Sequence, residues 1–496
     1  MGRTVEPEFV GRTYDDFLFR PQASPLASRR GVSLRMPLTR SVALELPIVS
    51  ANMDSVTDAS MAVAMALEGG IGFVHRGLSI AAQAAEVQRV KRTQGHVVDR
   101  PFVLARGATI REARELARRH NVTGLLVEES PGSGILAGLL SNRDMPWSEA
   151  DDDRSVEDFM TPAATLVTGP PDISIGEAEG RMYAHRVEKL PLVDGDRRIR
   201  GLITKKDILA ARQRPYSSKD ARGRLLVGAA IGARGDFLER AAELLGAGAD
   251  VLLIDIAHGH SQVMRRAMEA IRGRFGSVEV VCGNVATVEG AEFLRDLGAD
   301  AIKVGVGPGR GCRTRLETGA GVPQLQAIRE AWCAVEDAVP VIADGGVRED
   351  KDLFLALVAG ASAVMLGSLL SGTDEAPGQL IEDPGTGEKR KIYRGMTSPQ
   401  AVFRALYDDE EPDALETALE VPAEGQEMQV PYRGSVVAIL RRIRGHLRSA
   451  VSYGGAESLA QLRDKVLPDP LRYLVPLSAA SRAESYERQS GVRPRL

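Results

Sequence analysis

One cysteine stands in a glycine-rich stretch: Lys303-Val-Gly-Val-Gly-Pro-Gly-Arg-Gly-Cys312-Arg-Thr314-Arg. Glycines at 305, 307, 309 and 311 let the backbone approach a ligand closely. A thiol displayed there is a candidate nucleophile, because the thiolate is intrinsically reactive. Arg310, Arg313 and Arg315 surround it, and positive charge favours the thiolate. A lone cysteine is more often a small buried apolar residue; the loop argues for catalysis here. Other polar residues recur at one place in the pattern. Asp255, Asn284, Gly305, Asp344 and Gly367 each stand at or just past the end of an apolar run.

Those runs are the elements that must hold the chemistry. Segments 225–231, 249–255, 278–283, 299–305, 339–343 and 361–367 read as buried strands separated by helical patterns. Strands apolar throughout and joined by helices imply a parallel sheet covered on both faces. Segments 47–54 and 70–75 supply two earlier strands. Polar residues at C-terminal strand ends favour an α/β fold of the (β/α)8 TIM-barrel type. A doubly wound open sheet is the alternative, but no Gly-x-Gly-x-x-Gly turn follows the first strand.

The barrel pattern breaks after a helix near 80–92, and residues 97–212 carry an internal repeat. Ile135-Leu-Ala-Gly-Leu-Leu-Ser141-Asn-Arg-Asp144 returns as Ile199-Arg-Gly-Leu-Ile-Thr204-Lys-Lys-Asp207. The expected organisation is a barrel from 1–96 and 213–479, an insert with copies at 97–150 and 155–212, a mobile flap at about 397–430, and a flexible polar tail at 480–496. Trp147 and Trp332 read as packing residues.

Composition bounds the class. The 496 residues are 44% apolar with a net charge of -4, which gives no electrostatic case for nucleic acid or an anionic membrane. No apolar run reaches the ~18 residues of a membrane span, and the N-terminus lacks the apolar core of a signal peptide. Cysteines 282, 312 and 333 show no paired spacing, which argues against disulfides and zinc. The expected compartment is cytoplasmic.

Over nearly its whole length the chain resembles the IMP dehydrogenases and GMP reductases. Tyr14-Asp-Asp-Phe-Leu, Pro47-Ile-Val-Ser50-Ala-Asn-Met53-Asp54, Asp255-Ile-Ala-His258-Gly-His260, Gly283-Asn284, the cysteine loop, Ala343-Asp344-Gly345-Gly346, Val364-Met-Leu-Gly367-Ser368 and Tyr393-Arg394-Gly395-Met396 follow in family order. The resemblance implies Cys312 as nucleophile at purine C2. It implies substrate contacts from Ser50, Met53, Asn284, Gly309, Asp344, Gly346, Gly367, Ser368, Tyr393, Gly395, Met396 and Glu424. Asp255, His258, Gly305 and Gly307 fall where the family binds its nicotinamide cofactor. Gly307, Gly309 and Cys312 fall where dehydrogenases hold a monovalent cation, K+. Arg310 replaces the usual serine there and could reach the substrate phosphate or alter the cation site. The insert resembles a tandem CBS pair, with Ser141, Asp144, Thr204 and Asp207 at regulatory purine-nucleotide sites. Tetramers, or octamers paired through the inserts, are implied.

Two reactions remain open within the family. Dehydrogenases hydrolyse the cysteine adduct using an Arg-Tyr pair on the flap, whereas here Arg404 and Tyr407 are separate and Asp408-Asp409 stand near the pair's place. Thr318-Gly319 also follows the reductase pattern. His258-Gly-His260 and the CBS insert follow the dehydrogenase pattern. The reading is an NADPH-dependent GMP reductase in purine salvage, with Thr314 and a flap glutamate, Glu420 with Glu416 behind it, moving protons as ammonia leaves. IMP dehydrogenase is the alternative, and a silent nucleotide sensor a lesser one.

Overall fold

The computed structural model describes residues 4–93, 101–120, 122–398 and 424–487. Most of the expected flap, including Arg404, Tyr407, Asp408, Asp409, Glu416 and Glu420, lies outside the described residues. The chain forms two compact units. One comprises Met1–Lys91, Tyr216–Ser218 and Leu225–Leu496, and the other Arg92–Pro215 and Lys219–Arg224.

In the first unit eight parallel strands close a barrel. They are β1 (Ile48–Ser50), β2 (Ile71–Val74), β3 (Gly228–Ile231), β4 (Val251–Asp255), β5 (Val280–Val285), β6 (Ala301–Val304), β7 (Val341–Asp344) and β8 (Ala363–Leu366). Closure is direct: Val364 of β8 registers with Ile48 of β1, and Phe73 of β2 with Gly228 of β3. Both faces of each strand are apolar because both are covered. Along β4, Val251 and Leu253 join one buried cluster while Leu252 and Ile254 join another. That alternation is the two-residue period of a strand between two cores.

Helices follow the strands at residues capable of capping. Asp58 accepts from the Ser60 and Met61 amides before Ala59–Leu67, Ser261 from Met264 before Gln262–Phe275, and Thr287 from Gly290 before Val288–Asp296. Val436–Tyr453 packs on both Ala59–Leu67 and Asp350–Ala359, completing the helical ring across the chain's ends. After β8 a three-stranded sheet of Ile381–Glu382, Lys389–Arg394 and Glu427–Pro431 reaches the C-terminal mouth of the barrel.

The tail differs from expectation over its first half. Ala479–Arg482 is helical, Arg482 pairs with Asp16, and the Tyr486 hydroxyl donates to the Phe17 carbonyl. An aromatic ring and an arginine within a polar stretch are enough to dock it.

The second unit contains the repeat. Ile110–His120, Gly124–Glu128 and Leu136–Ser141 match Ile175–His185, Lys189–Val193 and Ile199–Thr204. The copies bond to each other: the Leu136 amide donates to the Arg197 carbonyl, and the Ile199 amide to Gly134. Trp147 is 98% exposed, contrary to the packing role expected of it, whereas Trp332 is buried. Among the described residues, no element covers this indole in the irregular stretch past the Ser141 motif.

Candidate active site

The cysteine loop begins where β6 ends. Gly305 has φ +151°, and a Cβ there would lie 2.2 Å from the Asp344 carbonyl oxygen. Only glycine lets the loop leave this close to the end of β7. The Gly305 amide donates to the Val285 carbonyl, tying the loop to β5 as well. Farther along, the Cys312 amide donates to the Gly309 carbonyl, and Cys312 forms an antiparallel bridge with Gly425. The Arg313 amide donates to Glu424 O and the Gln426 amide to Gly311 O. Two segments more than a hundred residues apart thus form one small ladder beside the thiol.

That ladder sets the reactive geometry. Cys312 Sγ lies 3.2 Å from Thr314 Oγ1, and Thr314 Oγ1 donates to Glu424 Oε2 at 2.7 Å. A thiol, a hydroxyl and a carboxylate therefore stand in series. Such a series can carry a proton to or from a group bonded to the sulfur. Among the described residues the glutamate that meets Thr314 is Glu424, which the bridge at Gly425 brings into register; Glu420 and Glu416 lie outside them.

Beneath the loop lies a charged group that the sequence hid. Lys303 is 2% exposed; its Nζ lies 2.9 Å from Asp255 Oδ1 and 2.6 Å from Asp344 Oδ2. Burial would lower the Lys303 pKa, yet the two flanking carboxylates raise it above the ordinary lysine value. For Asp255, burial would raise the carboxyl, but the Lys303 ammonium, the Asn52 amide at 2.7 Å and Arg76 hold it below the usual range. Asn284 Nδ2 donates to Asp344 Oδ2 at 2.9 Å and to the Gly305 carbonyl at 2.7 Å. The signal for Lys303 was present: a lysine inside the otherwise apolar run of β6.

Around this floor the glycine turns converge. A Cβ on Gly345 would meet the Gly309 amide nitrogen at 3.2 Å, and one on Gly311 the Gly395 nitrogen at 3.1 Å. A Cβ on Gly367 would lie 3.0 Å from the Tyr393 hydroxyl and 3.4 Å from Met53 Sδ. Burial and the Asp344 charge push the Tyr393 hydroxyl up, against the Gly311 N–H and Arg310. Tyr393 therefore stays neutral as a hydrogen-bonding group. Gly346 leans on Pro308, and Ser368 follows directly on Gly367.

The remaining expected residues have contacts of their own. Ser50 is fully buried and its Oγ takes the Thr57 hydroxyl at 2.8 Å. His258 is exposed, its ring 6.4 Å from that of His260. Gly307 abuts the Arg315 side chain, where a Cβ would meet Cγ at 2.4 Å. Met396 Cε lies 3.8 Å from a Cβ built on Gly77. In the second unit Ser141 donates its amide and hydroxyl to Asp144 Oδ2 at 2.9 and 2.7 Å. Thr204 does the same to Asp207 Oδ2 at 2.9 and 2.6 Å. Cys282 and Cys333 are buried, and burial pushes the Cys282 thiol up to about 12, leaving it inert.

Known proteins are similar to this chain over most of its length. The family model described as "IMP dehydrogenase / GMP reductase domain" matches residues 11–487. An inosine-5'-monophosphate dehydrogenase of Nitrosopumilus maritimus is 44% identical over 455 residues, covering 91% of this chain and 94% of the relative. One from Aquifex aeolicus is 43% identical over 457 residues, covering 92% of each. Among solved structures, a cysteine-to-alanine GMP reductase from Trypanosoma brucei in complex with guanosine 5'-monophosphate has a TM-score of 0.82. It is 39% identical over 96% of this chain and 97% of its own. With eight barrel strands, their ordered motifs and these relatives in agreement, the chain belongs to the IMP dehydrogenase/GMP reductase family.

Proposed function

We propose that this oxidoreductase is a GMP reductase that converts GMP to IMP and ammonia in purine interconversion. The observation that carries the reading is the series Cys312–Thr314–Glu424. The Cys312 thiolate attacks purine C2, and Thr314 passes a proton toward the 2-amino group from Glu424 as the C2–N bond breaks. Asp344, Gly346, Gly367, Ser368, Tyr393, Gly395 and Met396 orient the nucleotide, with Gly309 and Met53 beside it. NADPH, when bound, supplies the hydride that C2 takes up. Cys312 then leaves C2, and IMP departs.

The residues present fit a nicotinamide. Asn284 Oδ1 is buried and receives no hydrogen bond among the described residues, which suits a carboxamide N–H. Asp255, His258, Gly305 and Gly307 complete that side, with Asp255 fixed by Lys303. A K+ near Gly307, Gly309 and Cys312 would share the Gly309 carbonyl with the Cys312 amide.

IMP dehydrogenase is the second reading, favoured by His258-Gly-His260 and by the names of the relatives at 43–44% identity. The flap argues for the reductase, since no adjacent Arg-Tyr pair occurs between Met396 and Glu424 to activate water. Incubation with GMP plus NADPH, and separately with IMP plus NAD, decides by the absorbance of the reduced cofactor. Loss in the first is expected. Gain in the second alone overturns the reductase, and silence in both leaves a sensor.

The insert is proposed as a CBS pair that takes regulatory purine nucleotides at Ser141/Asp144 and Thr204/Asp207, in a homotetramer or octamer. No helix among the described residues is long and apolar enough to cross a membrane. A cytoplasmic location is proposed.

A further inference from the structure

We infer that Arg310 supplies the side-chain charge that binds the 5'-phosphate of the mononucleotide, an assignment that rests on the nucleotide reading of this site. Of the three arginines around the thiol, two are already used. Arg313 pairs with Glu317 at 2.6 Å, and Arg315 donates to the Val306 and Val322 carbonyls. Arg310 is exposed and makes no ion pair or side-chain hydrogen bond among the described residues. Its backbone is nonetheless fixed, since the Arg310 carbonyl accepts from Gln426 Nε2 at 3.0 Å.

Its place in the loop gives the guanidinium a target. Gly309 before it abuts Gly345 in the turn after β7, and Gly311 after it abuts Tyr393 and Gly395. Tyr393 in turn meets Gly367, in the turn after β8. Arg310 therefore projects from the point where three glycine turns and one tyrosine gather. Turns of this kind offer backbone N–H groups to an anion but carry no formal charge. The Arg310 charge also reaches this group, since it opposes the rise of the Tyr393 hydroxyl. A planar guanidinium matches phosphate oxygens in pairs, which a serine hydroxyl does not.

Calorimetric titration of the full chain with GMP, IMP and guanosine tests this in R310S and R310K. A charge-assisted contact predicts that R310S weakens GMP and IMP binding by about 10- to 100-fold. Guanosine binding should shift by less than about twofold, so the preference for GMP over guanosine falls by the same factor. R310K should regain most of the lost affinity. Phosphate monoesters take their second charge near pH 6, so wild-type GMP affinity should rise between about pH 5 and 7 more steeply than that of R310S. GMP affinity within about twofold of wild type in R310S overturns the assignment. So does an equal loss for guanosine, which marks a structural role, or a change confined to K+ dependence. None of these readouts requires turnover. If both mononucleotides bind through Arg310 and GMP is not reduced, the reductase reading fails and this assignment stands.

Discussion

At the scale of single residues, the hydroxyl between a thiol and a carboxylate makes the sharpest prediction. Thr314→Val interrupts the series and Glu424→Gln removes its proton source and acceptor. Loss of positioned acid–base assistance is worth about 10²–10⁴-fold in rate. Both variants should lower the single-turnover rate of ammonia release into that range, with a smaller change in GMP affinity. A rate within about threefold of wild type for Glu424→Gln would return the role to a residue of the flap. Cys312→Ala should show no turnover with any nucleotide.

The buried charges predict a pH dependence of stability. The folded Asp255 pKa lies below its unfolded value of about 3.9. Its contribution is therefore present above about pH 4 and lost as pH falls through the folded value. The folded Lys303 pKa lies above about 10.4, so its contribution is full below about pH 10 and lost as pH rises further. Asp255→Asn should destabilise the fold by about 3 kcal/mol between pH 5 and 9, with the gap in melting temperature beginning to narrow as pH falls below about 4. A gap that does not narrow below that pH refutes the charge argument. Residue types announced Cys312 and Asp344, because glycine loops and strand ends are visible as spacing, whereas Thr314 came only with the family resemblance. Lys303 was passed over inside an apolar run, and Glu424, expected at the substrate, was not expected beside Thr314. Counting along a chain does not reveal which carbonyl a distant segment will bond.

Elements come next, and their positions were the most legible feature. Apolar runs of strand length bounded by Asp, Asn or Gly gave all eight barrel strands, since both faces of each must be apolar. Less legible was how tightly successive strand ends approach one another. Gly305 sits against the carbonyl of Asp344, a relation between β6 and β7 that no local pattern carries. Gly305→Ala should therefore cost about 1–3 kcal/mol of stability through strain and displaced backbone. Its loss of activity should be larger than its loss of stability, because the displaced segment carries Cys312. Denaturant titration and kcat measured on the same preparation separate the two effects. An alanine variant with wild-type kcat would show that the loop absorbs the shift before it reaches the thiol. The tail and Trp147 went astray for a related reason. Composition describes a segment's solvent preference, whereas docking depends on what another element offers it.

The whole molecule is a barrel whose chain leaves between two neighbouring strands and returns. β2 and β3 register directly at Phe73 and Gly228 although the repeat-bearing unit intervenes in sequence. On return, the Ser218 amide donates to the Ala66 carbonyl and the Leu226 amide to Ser218, locking the chain to the helix Ala59–Leu67 before β3 begins. Barrel closure thus uses no residue of the insert. Selection for catalysis alone gives no reason for two copies of one Ser/Thr–Asp turn with the same bonds. In each copy one carboxylate oxygen takes the local amide and hydroxyl. The paired substitutions Asp144→Asn and Asp207→Asn keep an oxygen that can accept the local bonds, while removing the charge. The double variant should reduce GMP within about threefold of the wild-type rate, since Asn keeps the local bonds and barrel closure uses no residue of the insert. Titration with ATP or GTP should give saturable binding and an altered rate in the wild type, and neither in the double variant. Equal nucleotide binding by both proteins would place the regulatory site elsewhere. Loss of basal turnover in the double variant would make the insert part of the catalytic architecture.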